Sequence, residues 1–335
     1  MGNRRIGECP AVRRHFSRAG WAFCGAEVTA VLAALAIKWL AVPMIPNQQV
    51  LRWMVSFLPM YGAGIPLGMW ILSSVPGQPG EQKKMKIGDF FIALIMCFPF
   101  MVGGGMLGNL LAGILSGGRA SNNVAEIIAH QDLLTTLTMI IAAPVMEEMI
   151  FRKLLIDRTV RFGEKHAIVF SALAFGLFHC NVYQFFYAFG IGLIFGYVYV
   201  RTRKIRYTML MHFIINFLSG VVAAFFMSRV DSQMMQMVLS QDVEGLLKLA
   251  EQPQILISFY VSLIPLMLQN LITLGLGIAG AALLGIRKKR FFFHTTEEEI
   301  TGKTAVKNLY FNAGMVCFMM VSLIQTVRML MACCR

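Results

Sequence analysis

The sequence is poor in charged residues. Asp, Glu, Lys and Arg make up 14% of its 335 residues, whereas an ordinary soluble domain carries about 25%. Hydrophobic residues account for 57%, so too few polar side chains remain to cover a water-facing surface. This composition excludes a soluble globular protein and predicts a chain that lies within a membrane.

The sequence also lacks paired cysteines and a recognisable zinc motif. No two cysteines have Cys-x-x-Cys spacing, and no His-Glu-x-x-His segment is present. Most of the seven cysteines lie in apolar runs, so we interpret them as small buried hydrophobic residues and not as a disulfide framework. They are Cys9, Cys24, Cys97, Cys180, Cys317, Cys333 and Cys334.

Nine hydrophobic runs follow one another with short loops between them. A helix needs about 20 apolar residues to cross a hydrocarbon core of about 30 Å. We expect Pro99 to bend the third run and Pro265 to bend the eighth. The pattern predicts an all-α, polytopic transmembrane helical bundle of about nine spans. These lie near 21–43, 51–73, 88–117, 133–155, 166–181, 183–200, 207–228, 255–286 and 309–327.

The basic residues are concentrated in alternate loops. The formal net charge is +13, and 23 of the 30 Lys and Arg residues fall on one side of the predicted spans. The positive-inside rule makes that side cytoplasmic, which places the N-terminus in the cytoplasm and the C-terminus outside. Basic loops also suit anionic lipid head groups, and no basic stripe interleaved with aromatics indicates nucleic acid. We therefore predict a multi-pass integral membrane protein of a bacterial plasma membrane, with lipid and no nucleic acid as partners.

The order of these segments predicts one membrane domain with short appendages. Residues 1–20 form a basic cytoplasmic segment, and residues 21–286 form the transmembrane domain. Residues 287–308 form a cytoplasmic loop with basic and acidic residues, and residues 309–335 hold the last span and a short tail. Two glycine pairs spaced by four, Gly104/Gly108 and Gly192/Gly196, indicate close helix packing.

The fourth span contains ionisable residues that are costly in a bilayer unless they are paired or hydrated. Glu148 and Arg152 are four residues apart on one helix face and can form an ion pair. Glu147 points about 100° away and has no local cation. It is therefore a candidate general base. The alternative is that both acids only hold helices together.

Two other spans each carry a pair of candidate residues four apart on one helix face. The fifth contains Phe175 and His179; a histidine taken alone is more often a packing residue than a catalyst. Cys180 points in a different direction from His179, which disfavours a Cys–His nucleophile. The seventh contains His212 and Asn216, which can donate two hydrogen bonds to a developing oxyanion. Their alternative role is a polar clamp between helices.

The ordered set Glu-Glu-x-x-x-Arg, Phe-x-x-x-His and His-x-x-x-Asn, on separate spans, resembles the CPBP family. This family groups the type II CAAX prenyl endopeptidases with Abi-type and lysostaphin-resistance-protein-A-like proteins. The motifs span residues 144–217, inside a core at about 133–228. The resemblance implies an intramembrane endopeptidase that hydrolyses a peptide bond of a membrane-associated peptide or lipidated protein.

The resemblance also implies a role for each matched residue. Glu147 would activate a water molecule and His179 would help to hold it. His212 and Asn216 would stabilise the oxyanion. The residues that support this geometry would be Glu148, Arg152 and Phe175. Members are described both as metalloproteases and as metal-independent glutamate proteases, so the cofactor is either none or Zn²⁺ held by Glu147, His179 and His212.

The depths of the three candidate residues in the membrane differ in the predicted spans. Glu147 and His212 lie roughly 8 Å below the cytoplasmic ends of their helices, whereas His179 lies roughly 20 Å beyond His166. They meet only if the fifth helix is tilted, shifted or begins outside the membrane. We predict such a helix, with water and substrate entering from the cytoplasm.

Two functions of other classes stay open from the sequence alone. One is a non-catalytic membrane scaffold or bacteriocin-immunity-type protein that keeps the polar cluster for folding. The other is a proton-coupled transporter, which predicts repeated halves with broken helices in matching positions. The sequence shows no such repeat.

Overall fold

The computed structural model describes residues 10–41, 43–119, 132–231, 253–296 and 298–332, together with residues 234, 237 and 245. Within these ranges the chain is helical and contains no β-strand, which confirms the predicted all-α fold. Residues 1–9 of the predicted basic segment lie outside the described residues, as do Cys9, Cys333 and Cys334.

Eleven helices of at least nine residues organise the described residues. They are α1 Pro10–Ala41, α2 Gln48–Ser56, α3 Leu58–Ser73, α4 Ile87–Ser116, α5 Leu133–Phe162, α6 Glu164–Phe178, α7 Val182–Thr202, α8 Ile205–Met227, α9 Pro253–Ile286, α10 Gly302–Tyr310 and α11 Ala313–Ala332. Seven of them are long and apolar enough to cross a bilayer: α1, α4, α5, α7, α8, α9 and α11. An eighth span results if α2 and α3, which meet at a bend of 46°, count as one. The chain is therefore a multi-pass integral membrane protein.

Several predicted spans differ in detail from the helices. The second span is broken at Phe57 because Pro59 starts a new helix and supplies no backbone N–H for the old one. The fifth corresponds to α6, which has only 15 residues and is short for a crossing. The last span begins at Ala313, after the separate helix α10. The number of crossings and the cytoplasmic N-terminus remain predictions.

Close helix contacts occur at the predicted glycine pairs. A Cβ atom at Gly104 would lie 2.5 Å from the backbone nitrogen of Tyr187, and one at Gly108 would lie 2.8 Å from a backbone oxygen of α7. At Gly192 and Gly196, which face α6, the nearest atoms to an added Cβ would lie slightly farther away, at 3.0 and 3.2 Å. Because these positions have no side chain, α7 lies between α4 and α6 at backbone-contact distance.

Helices α1 and α11 run parallel to each other. The Gly314 backbone N–H donates to the Ser17 hydroxyl, at 3.0 Å. Further along both helices, the rings of Phe23 and Phe318 lie 5.3 Å apart. Parallel first and last helices agree with the predicted topology, in which both are odd-numbered spans.

A glycine corner joins α5 to α6 and sets the relative heights of their residues. Gly163 has φ 126°, a conformation that favours glycine. The predicted end of the fourth span at residue 155 is wrong, because α5 continues to Phe162. Glu147 lies 16 residues before the corner and His179 lies 16 residues after it, so antiparallel packing of α5 on α6 places them at one level. Glu147 and His179 therefore do not differ in level as the predicted spans implied.

Candidate active site

The sequence-predicted residues come together where α5, α6 and α8 meet. Phe175 of α6 lies at the centre: its ring centroid is 4.9 Å from that of His179 and 5.8 Å from that of His212. The Arg152 guanidinium also lies over this ring, 4.5 Å from the centroid of Phe175. Phe175 thus contacts the buried cation and both imidazoles.

Glu148 is the buried centre of a charged trio. Its carboxylate lies 3.2 Å from Nε of Arg152 and accepts a hydrogen bond of 3.1 Å from Nδ1 of His212. Glu148 and Arg152 are both 0% exposed, so the predicted ion pair between them lies in the interior of the bundle. The guanidinium makes no aligned hydrogen bond within the described residues. Its ion pair with Glu148 and its contact with the ring of Phe175 offset the free-energy cost of burying its charge.

Glu147 uses its two oxygens differently. Oε1 accepts a hydrogen bond of 2.6 Å from the hydroxyl of Tyr61 on α3. Oε2 faces Nε2 of His212 at 3.8 Å, which is too long for a direct hydrogen bond. Oε2 and Nε2 therefore face each other without a direct hydrogen bond.

His179 has one ring nitrogen tied to its own helix. Nδ1 lies 2.7 Å from the carbonyl oxygen of Phe175, and a carbonyl only accepts, so Nδ1 carries the proton. In the neutral ring, Nε2 is then an acceptor. Glu147 and His212 both interact electrostatically with this imidazole. His179 therefore presents a lone pair within reach of the same small region.

Asn216 donates to a backbone carbonyl that Pro144 leaves free. The N–H of Ala143 bonds to Thr138, five residues back. The next N–H would reach Met139, but residue 144 is proline and has none. The carbonyl oxygen of Met139 instead accepts a hydrogen bond of 2.9 Å from the Asn216 amide. One amide hydrogen of Asn216 is therefore occupied and the second is not used by this bond.

The predicted zinc ligands are each held at one atom by a hydrogen bond. Tyr61 engages Oε1 of Glu147, and Glu148 engages Nδ1 of His212; partners of this kind commonly orient metal ligands and leave the other atom of each side chain for the metal. Within the described part of the chain, no three His, Cys, Asp or Glu side chains are grouped as metal ligands. Zn²⁺ held by Glu147, His179 and His212 therefore stays a prediction, as does a reaction without a cofactor.

Two polar residues near this site were missed by sequence reasoning. Tyr61 contacts Glu147 directly; a tyrosine in mid-span needs a partner for its hydroxyl, and that signal was available. Glu27 of α1 is completely buried beside Cys180, and an acid within a span is itself a functional signal. The Cys180 thiol points to Ser322 of α11, at 3.9 Å, which disfavours its use as a nucleophile beside His179.

The comparison with known proteins matches this same region. Residues 129–218 match the family model described as type II CAAX prenyl endopeptidase Rce1-like. The chain is also 28% identical over 137 residues to a protein of Bacillus subtilis (strain 168) named "Putative membrane peptidase YdiL". That similarity covers 39% of this chain and 52% of the Bacillus protein, so the chain spans about half the length of the curated relative it matches.

No solved structure matches the chain. The matched residues 129–218 contain all three of the polar motifs, the helices α5 to α7 and the first part of α8. The predicted resemblance to the CPBP family of membrane peptidases is therefore confirmed, and residues 129–218 carry it.

Proposed function

We propose that this chain is an intramembrane endopeptidase in which Glu147 activates the attacking water. The observation that carries the proposal is the approach of Glu147 Oε2 to His212 Nε2, at 3.8 Å inside the bundle. The other polar atoms of both side chains are already engaged, by Tyr61 and by Glu148. Glu147 Oε2 and His212 Nε2 therefore remain to act on water or on a substrate.

The water molecule would lie between Glu147 Oε2 and Nε2 of His179. Glu147 removes a proton from the water as its oxygen attacks the carbonyl carbon of the scissile peptide bond. The tetrahedral intermediate collapses with cleavage of the C–N bond, and Glu147 passes the same proton to the leaving nitrogen. The products are a carboxylic acid and an amine, and Glu147 ends the cycle as it began.

His212 would supply the first donor for the oxyanion. Its Nδ1 is hydrogen-bonded to the carboxylate of Glu148, at 3.1 Å, which orients the ring. Its Nε2 faces Oε2 of Glu147, at 3.8 Å, so a proton on Nε2 during the reaction would be directed to the place where the oxyanion forms.

Asn216 supplies the second donor for the oxyanion. One amide hydrogen is held by Met139, which orients the side chain, and the other hydrogen can bind the developing negative charge. Orientation by a backbone carbonyl costs no reorganisation during the reaction. His212 and Asn216 lie four residues apart on α8, so both donors come from the same helix face.

The substrate class follows from the membrane location and from the matched family. Glu147 and His212 are 8% and 7% exposed, so a peptide must enter the bundle to reach them. The family model that matches residues 129–218 is described as a type II CAAX prenyl endopeptidase. We propose a peptide bond of a membrane-associated substrate, such as a lipidated C-terminus.

A cleavage assay with a matched pair of variants tests the proposal. Purified protein in lipid nanodiscs is incubated with a library of membrane-associated peptides, and products are identified by mass spectrometry. Glu147→Gln should abolish cleavage without changing thermal stability, because the amide keeps the size of the side chain. The control is Glu298→Gln, at a half-exposed acid, which should cleave as the unmodified protein does. Equal cleavage by Glu147→Gln refutes the proposed base.

The absence of cleavage by the unmodified protein across diverse peptides would favour the non-catalytic scaffold. The same samples also address the metal. If a chelator abolishes cleavage and added Zn²⁺ restores it, then the reaction requires zinc.

A further inference from the structure

We propose that Tyr61 is a positioning residue for the general base: its hydroxyl fixes Glu147 so that only Oε2 faces the attacking water. This inference rests on the proposed function, because it assigns a role relative to that reaction. Tyr61 belongs to none of the three motifs and lies outside residues 129–218, the segment that matches the family model.

The hydrogen bond between these two residues has one possible direction. A phenol has a single proton and a carboxylate only accepts, so Tyr61 donates to Glu147 Oε1, at 2.6 Å. Bonds between a hydroxyl and a charged carboxylate are short and strong. The contact therefore holds Glu147 in one rotamer and leaves Oε2 directed towards His212, at 3.8 Å.

The break in the second span explains why Tyr61 is at this position. Pro59 begins α3 two residues before Tyr61, and residues Leu58–Gly64 form a wide π-helical turn. At the end of that turn, a Cβ atom on Gly64 would lie 2.6 Å from the backbone oxygen of Ala26. Because glycine allows this contact, α3 packs directly on α1 and its tyrosine is held against α5.

Other groups around Glu147 act at longer range. His179 of α6, His212 of α8 and Tyr187 of α7 face it from the neighbouring helices. Arg152 of its own helix also interacts with it electrostatically. Among these side chains of the described region, Tyr61 makes the hydrogen bond to Glu147. Its removal should therefore change the direction of this carboxylate.

The kinetic effect follows from this hydrogen bond. Without it, Glu147 can adopt other rotamers, so Oε2 faces the attacking water in only part of the molecules. The chemical step should therefore slow while KM changes little. A residue that serves only to pack the helix would lower the stability and leave kcat unchanged.

Steady-state kinetics of Tyr61→Phe in nanodiscs test the inference. The variant keeps the ring that stacks on Phe57, 6.3 Å between centroids, so the fold should be retained. We expect kcat to fall by about 10- to 100-fold, the scale of one hydrogen bond to a charged group, with KM changed less than about threefold. The control Tyr260→Phe, at an exposed tyrosine of α9, should change nothing.

A spectroscopic measurement without substrate separates the failure of this inference from the failure of the proposed function. The infrared C–O band of the Tyr61 phenol is assigned by its loss in Tyr61→Phe. A shift of this band in Glu147→Gln supports the contact. An unmoved band together with unchanged kinetics of Tyr61→Phe overturns the role of Tyr61 and leaves the peptidase proposal intact. If the unmodified protein cleaves nothing but the band moves, the contact stands and the peptidase proposal falls.

Discussion

Replacing Arg152 with methionine tests the energetics of the buried charged trio without reference to activity. Arg152 and Glu148 are fully buried, and Nε of Arg152 lies 3.2 Å from Glu148. Removal of one member of a buried pair costs about 3–5 kcal/mol because it leaves the other charge uncompensated. His212 also contacts Glu148 and can offset part of this cost. We therefore expect a loss of about 3 kcal/mol in the free energy of unfolding.

The adjacent residue provides a matched control. Lys153 forms an ion pair of 2.8 Å with Asp157, but its side chain is 40% exposed. Asp157 also accepts hydrogen bonds from Tyr199 and Arg203, so it keeps partners when the lysine is removed. An exposed pair of this kind contributes less than about 1 kcal/mol. Lys153→Met should therefore change stability much less than Arg152→Met, although both variants remove one positive charge from α5.

Equilibrium unfolding in mixed detergent micelles, followed by near-ultraviolet circular dichroism, measures both variants. The double variant Glu148→Gln/Arg152→Met should recover about 1–3 kcal/mol relative to the sum of the single losses, since neither charge is then left alone. If Arg152→Met lowers the free energy of unfolding no more than Lys153→Met does, Arg152 does not stabilise the buried trio. If the double variant loses as much as the two single variants together, Glu148 and Arg152 do not interact.

Two further predictions concern the helix contacts and the oxyanion site. Gly108→Ala places a Cβ atom 2.8 Å from a backbone oxygen of α7 and should cost about 1–3 kcal/mol of unfolding free energy. Gly113→Ala, where a Cβ atom would meet nothing within 4 Å, should cost nothing in the same assay. Asn216→Ala should lower kcat by about 10²- to 10³-fold with little change in KM, since the amide acts on the transition state. A rise in KM with kcat unchanged would assign Asn216 to substrate binding instead.

Local sequence patterns predicted most of the individual helices. Apolar runs and the alternation of basic loops depend only on residues near one another in the chain, and the membrane imposes helical structure on such runs. The predictions were wrong where the chain bends. The break before Pro59 and the continuation of α5 past Arg152 to the corner at Gly163 depend on packing against neighbouring helices.

The grouping of the site residues was also predictable from short spacings. Residues four apart share a helix face, so Phe175 with His179 and His212 with Asn216 were each expected to act together. The family resemblance placed these pairs beside Glu147, and the comparison over residues 129–218 supports that resemblance. The individual catalytic roles remain proposals.

By itself, the sequence determined that the chain is a helical membrane protein and which polar residues face inward, because helix periodicity and membrane burial are set by residue type and spacing. Only the tertiary structure decided which atoms of those residues meet. The free carbonyl of Met139 that binds Asn216, and the position of Tyr61 against Glu147, depend on helix register and on close approach at glycines. Such contacts join residues 77 and 86 positions apart in the chain, where local spacing carries no information about distance.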